Sequence, residues 1–209
     1  MNDYVKQLQN HLSDVGAYHG RIDGVFGPKT FDATMASMGV EPQKTVVPRI
    51  GYTQLIIDEC RERGLSRAQT AYALATTFWE TNRTMKPVVE AYWLSEEWRK
   101  KHLRYYPWHG RGFVQLTWKA NYERASSELG VNLIADPEKA LDPEIATSVL
   151  VLGMIEGWFT GKKLGDYFTA SKTDFVGARR IINGTDKAKA IAEIAMDYDD
   201  ELKAEGFGV

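Results

Sequence analysis

The chain is 209 residues long and 44% hydrophobic, which suffices for one good-sized core or for a small module attached to a domain of ordinary size. Its formal charge of -2 gives no general attraction to nucleic acid or to an anionic membrane. No apolar stretch approaches a membrane span, and the N-terminus has no basic segment followed by an apolar one.

Cys60 is the only cysteine, so no internal disulfide can form and a reducing compartment is expected. Histidines 11, 19, 102 and 109 lack zinc-helix spacing and have no cysteine partner, so neither a metal nor another cofactor is expected. There is no Gly-x-Ser-x-Gly elbow, and a serine or cysteine hydrolase has no support.

From the N-terminus, Val5, Leu8, Leu12 and Val15 recur at helical spacing, with Gly16 where a helix would be capped. The turn-rich segment 20–28 follows, and Pro28 is placed to open a second helix through Phe31, Ala33 and Met35. Val5-Lys6-Gln7-Leu8-Gln9, Gly20, Ile22-Asp23-Gly24, Phe26-Gly27-Pro28 and Thr30 together resemble a peptidoglycan-binding module of the three-helix type. The resemblance implies wall-binding roles for Gly20, Asp23, Phe26 and Thr30; a helical hairpin that merely packs against the rest is the alternative. Segment 41–48 holds two prolines and few helix formers, so it reads as a linker dividing a module of residues 1–47 from a domain of residues 48–209.

Past the linker the pattern is mainly helical. Ser66 with Gln69 forms a capping-box pattern ahead of Ala68, Ala71, Tyr72, Ala75 and Trp79, predicting a helix that ends close to Glu80. The cluster Arg99, Lys100, Lys101, His102 and Arg104 reads as a solvated helix face. Asp142-Pro143-Glu144 begins a helix through Ile145, Val149, Leu152 and Phe159, with Gly161 beyond its end. Phe175, Val176, Ala178 and Ile181 predict another, stopping at Asn183-Gly184. Thr185 or Asp186 is expected to cap a last helix, whose acidic end from Asp197 to Glu201 reads as solvated surface.

The most informative stretch runs from His109 to Tyr122. Gly110 and Gly112 allow a tight turn and close approach of backbone to a ligand, an apolar strand-like run follows, and Gln115, Thr117 and Asn121 offer uncharged donors and acceptors suited to hydroxyl and acetamido groups. On residue types alone, a glycine-rich turn leading into an ordinary buried strand is as good a reading. The segment His109-Gly110-Arg111-Gly112, two residues, Gln115-Leu116-Thr117-Trp118, two residues, Asn121-Tyr122 resembles the signature of family 19 glycoside hydrolases, the lysozyme-like chitinases and related phage endolysins.

Glycosidic hydrolysis by two carboxyl groups needs one that is protonated near neutral pH and a carboxylate across the sugar ring. Glu80 suits the acid role: a helix C-terminus disfavours negative charge, and Phe78 and Trp79 limit hydration, effects expected to raise its pKa. Thr77-Phe78-Trp79-Glu80-Thr81 is similar to the family's His-Glu-Thr segment, with Trp79 replacing the usual His. Glu90 stands in an apolar and aromatic setting and is the first choice for the second carboxylate, with Glu96 and Glu97 open as alternatives.

The resemblance implies that Glu90 and the Thr117 hydroxyl activate the attacking water, that the product is inverted, and that Gln115, Trp118, Asn121 and Tyr122 contact substrate. Ala178-Arg179-Arg180-Ile181-Ile182-Asn183-Gly184 resembles the family's far cleft wall, implying contacts from Arg180, Ile182 and Asn183, with Arg179 or Arg180 alternatively paired to a carboxylate. Tyr92, Trp93, Tyr105, Tyr106, Trp108 and Trp118 are aromatic candidates for sugar stacking or for core.

The resemblance implies a mainly α, lysozyme-like catalytic domain joined to a small three-helix wall-binding domain. It implies a monomeric endolysin that hydrolyses the β-1,4 bonds of peptidoglycan, with no nucleic-acid partner and no stable membrane association. The enzyme would accumulate in the host cytoplasm and reach the wall through a holin. A chitinase, a lytic transglycosylase and a non-catalytic wall-binding or virion protein are the rival expectations.

Overall fold

A computed structural model describes residues 2–20, 22, 28–38 and 51–207, and the described chain is mainly helical. The expected linker 41–48, the boundary at residue 47, and Asp23 and Phe26 of the expected module lie outside the described residues.

Helix α1 (Asn2–Asp14) ends where expected: Gly16 takes a φ of +73°, and the amides of Ala17 and Tyr18 return to the Leu12 carbonyl. Helix α2 (Pro28–Ser37) opens on the predicted proline. Leu12, Tyr18 and Ala33 form a small apolar cluster of their own. Beside it, the buried Gln9 amide donates to the Tyr18 hydroxyl at 3.2 Å and to the Thr30 hydroxyl at 3.0 Å. A fully buried amide is tolerated only when it is paired.

The main core is built around helix α4 (Arg67–Glu80). The Ser66 hydroxyl and the Gln69 side chain cap its first turn reciprocally, as the sequence predicts, and its last residue is Glu80. Every residue from Thr70 to Phe78 is buried, so α4 is a central helix covered on all sides. Its threonines remain compatible with that burial by donating to carbonyls one turn back, Thr77 to Ala73 and Thr81 to Thr77. Helices α3 (Tyr52–Glu62), α7 (Pro143–Glu156) and α8 (Ala188–Ala204) pack against it.

Several expectations are corrected. Helix α7 begins at the Asp142 cap and Pro143 as predicted, but it stops at Glu156 rather than continuing through Phe159. Gly157 adopts a φ of +76° and the amides of Gly157 and Trp158 both return to the Gly153 carbonyl, closing the helix. The expected helix through 175–181 is a short 3-10 helix, Gly177–Ile181, started by the Asp174 carboxylate on the Gly177 amide at 2.7 Å. Neither Thr185 nor Asp186 caps α8; Lys187 does, in a left-handed conformation and without a side-chain cap. The acidic end of α8 is not plain solvated surface either, because Asp197 and Tyr198 are buried and Asp199 holds Arg67 through two bonds of 2.9 and 3.2 Å.

The remaining elements are short: helices α5 (Glu96–His102) and α6 (Lys119–Leu129), and two-residue strands β1 (Val88–Val89), β2 (Arg111–Gly112), β3 (Phe168–Thr169) and β4 (Lys172–Thr173). Strands β1 and β2 pair antiparallel, Val88 with Gly112 and Val89 with Arg111. This small ladder brings the Glu90 loop against the Gly-Arg-Gly segment. No helix of the described residues is long and apolar enough to cross a membrane.

Candidate active site

The Gly-Arg-Gly segment supplies the two residues of β2 and then turns back in a tight reversal rather than running on as a longer strand. Arg111 and Leu116 exchange both backbone hydrogen bonds, at 3.2 and 2.9 Å, so 112–115 folds back at once. Gly112 takes a φ of +84° with its backbone against the Ala140 carbonyl, where any side chain would be both strained and crowded. A Cβ on Gly110 would sit 2.6 Å from the Gln115 Oε1. Gln115 and Trp118 themselves adopt positive φ values of 57° and 75°, and α6 begins at Lys119, so Asn121 and Tyr122 stand on a helix.

Arg111 is buried and braces the turn from within. Its guanidinium donates to the carbonyls of Pro107 and His109, to the Tyr122 hydroxyl and to the Glu138 carboxylate at 2.6 Å. Tyr122 is fully buried and donates to the His109 carbonyl at 2.8 Å, which makes it a strut of the turn; the expected substrate contact is not open to it. Thr117 and Asn121 are half-buried: Thr117 donates to the Gln115 carbonyl at 2.7 Å, leaving its oxygen as an acceptor, and the Asn121 amide donates to the Thr117 carbonyl at 2.8 Å.

Glu80 and Glu90 line one groove of about 690 Å³, with Gln115, Tyr92 and Trp93 also among its lining residues. Glu80, at the last position of α4, receives Nη1 of the buried Arg179 at 2.5 Å. Arg179 also donates from Nε to the Asp186 carbonyl at 3.2 Å, which fixes the guanidinium between the groove and the loop before α8. Of the two arginines left open by the sequence, Arg179 therefore pairs with the carboxylate.

Among the described residues no cation pairs with Glu90, which is held by neutral donors. The Tyr105 hydroxyl donates to Oε1 at 2.7 Å, the Gly110 amide donates to Oε2 at 2.9 Å, and the Glu90 amide donates to the Gly110 carbonyl at 2.8 Å. Burial, followed by the bond to Glu90, pushes the Tyr105 phenol up to about 12, so it stays a donor throughout the physiological range. Arg99, expected on a solvated face, is half-buried and donates to the carbonyls of Ala91 and Leu94, bracing the loop that carries Glu90.

Glu96 and Glu97 stand outside this groove, exposed in the first turn of α5; Glu96 accepts from the Tyr106 hydroxyl at 2.7 Å. Trp79 packs against the main core. Trp118 is 45% exposed, with the Tyr105 ring at 4.8 Å and the Arg104 guanidinium over it at 4.9 Å. Tyr92 and Trp93 are the most exposed of the aromatic candidates and meet edge to face at 5.2 Å.

The C-terminal candidates fall apart in space. Arg180 and Asn183 are exposed, Ile182 is half-buried, and none of the three lines the groove; the Asn183 Oδ1 accepts from the Gly184 amide, serving its own turn. In the N-terminal pair of helices, Thr30 is buried and bonded to Gln9, which points it into the protein and away from any wall polymer, while Gly20 lies against the Tyr18 ring.

Six of the seven non-glycine residues described with positive φ are Asn82, Arg83, Met85, Ala91, Gln115 and Trp118. Four of these, Asn82, Arg83, Met85 and Ala91, belong to the loop that leaves α4 and lines the groove, and Gln115 belongs to its other wall. Backbone held in such conformations costs about 1 to 3 kcal/mol per residue, and here it is concentrated in the segments around the groove. Among the described residues no group of three or more His, Cys, Asp and Glu side chains could hold a metal ion.

No family model, no curated protein and no solved structure matches the chain.

Proposed function

We propose that the groove is the active site of a glycoside hydrolase acting on the β-1,4-linked amino-sugar backbone of peptidoglycan. What supports the reading most is that one groove is lined by two glutamates whose surroundings differ in kind: Glu80 against a guanidinium, Glu90 against two neutral donors. In the reaction Glu80 protonates the bridging oxygen as it leaves. Glu90 takes the proton of a water that attacks the anomeric carbon from the opposite face; Thr117, which the resemblance puts beside that water, is bonded to the Gln115 carbonyl and is not among the groove's lining residues. Two-carboxylate chemistry of this kind inverts the anomeric centre when roughly 6.5 to 9.5 Å separates the carboxyl groups, leaving room for the water. Gln115 is fixed by its amide on the Val88 carbonyl at 3.1 Å, which leaves its carbonyl oxygen for a substrate N–H or O–H. Tyr92 and Trp93 offer apolar ring faces to pyranose faces.

The enzyme is an endolysin on this reading. It builds up in the host cytoplasm and meets its polymer once a holin opens the membrane, with the N-terminal helices acting as a wall-binding module that raises the local concentration of cleavable bonds.

Mass spectrometry of purified sacculi digested by the wild type and by Glu80→Gln tests the proposal. The wild type is expected to release muropeptides with new reducing ends and the variant almost none. Cleavage of chito-oligosaccharides without muropeptide release would make the enzyme a chitinase. Anhydro ends would make it a transglycosylase, and wall binding without cleavage a non-catalytic protein.

A further inference from the structure

A second hollow, of about 550 Å³, lies at the start of α8, and Arg180, Thr185, Lys187, Lys189 and Glu193 are among its lining residues. Three cations and a single carboxylate converge there, in a chain whose overall charge is -2. Arg61, Arg63, Arg67, Arg111, Arg124 and Arg179 lie within 4 Å of a carboxylate, whereas Lys86, Lys100, Lys101 and Lys139 have no such partner among the described residues, so what distinguishes the hollow is that three cations share it. Among the described residues none pairs with Arg180, Lys187 or Lys189. Lys187 is moreover held at a φ of +58°, a conformation a non-glycine residue adopts at a cost. Like charges gathered in one hollow give it a local positive potential that favours an anionic group.

The hollow is tied to the groove by one residue. Arg179 reaches Glu80 with Nη1 and the Asp186 carbonyl with Nε, so the loop that supplies Thr185 and Lys187 is held by the side chain that faces the reacting end of the groove. Arg180 is the next residue in the chain.

We propose that this hollow binds the free carboxylates of the peptide stems carried by peptidoglycan, and so selects that polymer over uncharged amino-sugar chains. The inference rests on the glycosidase reading of the groove. It assigns Lys187 and Lys189 to specificity, with Arg180 beside them, and none of the three to bond cleavage.

The test measures kcat/KM for the wild type and for Lys187→Gln/Lys189→Gln on intact sacculi and on glycan strands freed of peptide by an amidase. The double variant should lose about five- to tenfold on sacculi, chiefly through KM, and cleave the peptide-free strands at the wild-type rate. Adding Arg180→Gln should deepen the loss on sacculi. Lys100→Gln/Lys101→Gln removes the same charge from the exposed face of α5 and should change neither substrate. Equal loss on both substrates, no loss on sacculi, or the same loss from the α5 variant would overturn the assignment while leaving the glycosidase standing. Failure of the wild type on both polymers would instead remove the reading of the groove, and the inference with it.

Discussion

Glu80 and Glu90 face one groove but are secured by opposite means. Glu80 ends a long, fully buried helix and is met by a guanidinium from 99 residues further along the chain. Glu90 sits in a short irregular loop and is met by a phenol and a backbone amide from the segment only 15 to 20 residues away. A guanidinium favours the charged form of its carboxylate partner, the form that remains once a proton has been given up and the opposite of the effect expected from the helix end and its aromatic neighbours, whereas neutral donors fix the direction of the other's lone pairs. The comparison teaches that the two carboxyl groups are differentiated by their partners rather than by depth, since both are half-buried.

The largest expected break in that comparison is loss of the proposed acid. Glu80→Gln should lower kcat by about a thousandfold, within the range of general acid catalysis, with KM little changed in steady-state assays. A variant within tenfold of wild type would remove Glu80 from the reaction. Arg179→Met should destabilise the protein by about 3 kcal/mol in urea unfolding, because it leaves Glu80 facing an apolar side chain in a largely enclosed position. A change below about 0.5 kcal/mol would mean that the pair is solvated in practice.

His109 sharpens the contrast from the Glu90 side. Its ring is 2% exposed, neither nitrogen has a hydrogen-bond partner among the described residues, and it stacks on Tyr106 at 5.5 Å. Burial, helped by the Arg111 and Arg99 cations, pushes the imidazole down from 6.5 to about 4. As pH falls below about 6.5 the unfolded chain takes a proton that the fold refuses, so stability is complete above that pH and drains away towards pH 4. His109→Phe should flatten this acid limb of the stability curve, and an unchanged limb would place the loss elsewhere. The smallest effect belongs to Tyr105→Phe, which should lower kcat about tenfold while shifting the unfolding midpoint little, because only one of the two donors on Glu90 is lost.

Much of the helical framework was legible in the sequence because its signals are local. The Ser66 and Gln69 box gave the start of α4 and the apolar spacing gave its end at Glu80, and Asp142-Pro143 marked the start of α7. The end of α7 was misread because Trp158 and Phe159 continue the apolar pattern while Gly157 has already turned the backbone out of it. The groove was legible in its residue types but not in its bonds. Gln115-Leu116-Thr117 alternates like a strand, yet positive φ at Gln115 and Trp118 makes it a reversal, and no periodicity encodes that. Tyr122, expected to contact substrate, is consumed with Arg111 in holding the glycine turn. Glu90 ranks first on its apolar and aromatic setting, but what sets it in the groove and leaves Glu96 and Glu97 outside is the pairing of β1 with β2, a contact between segments more than twenty residues apart.

The most direct test of the central claim is the anomer released first from a β-1,4-linked amino-sugar oligosaccharide, followed by proton NMR within the first minutes of cleavage. Water delivered by Glu90 across the ring from Glu80 predicts that the α anomer appears first and mutarotates to the equilibrium mixture. Initial release of the β anomer, or of an anhydro sugar, would contradict it.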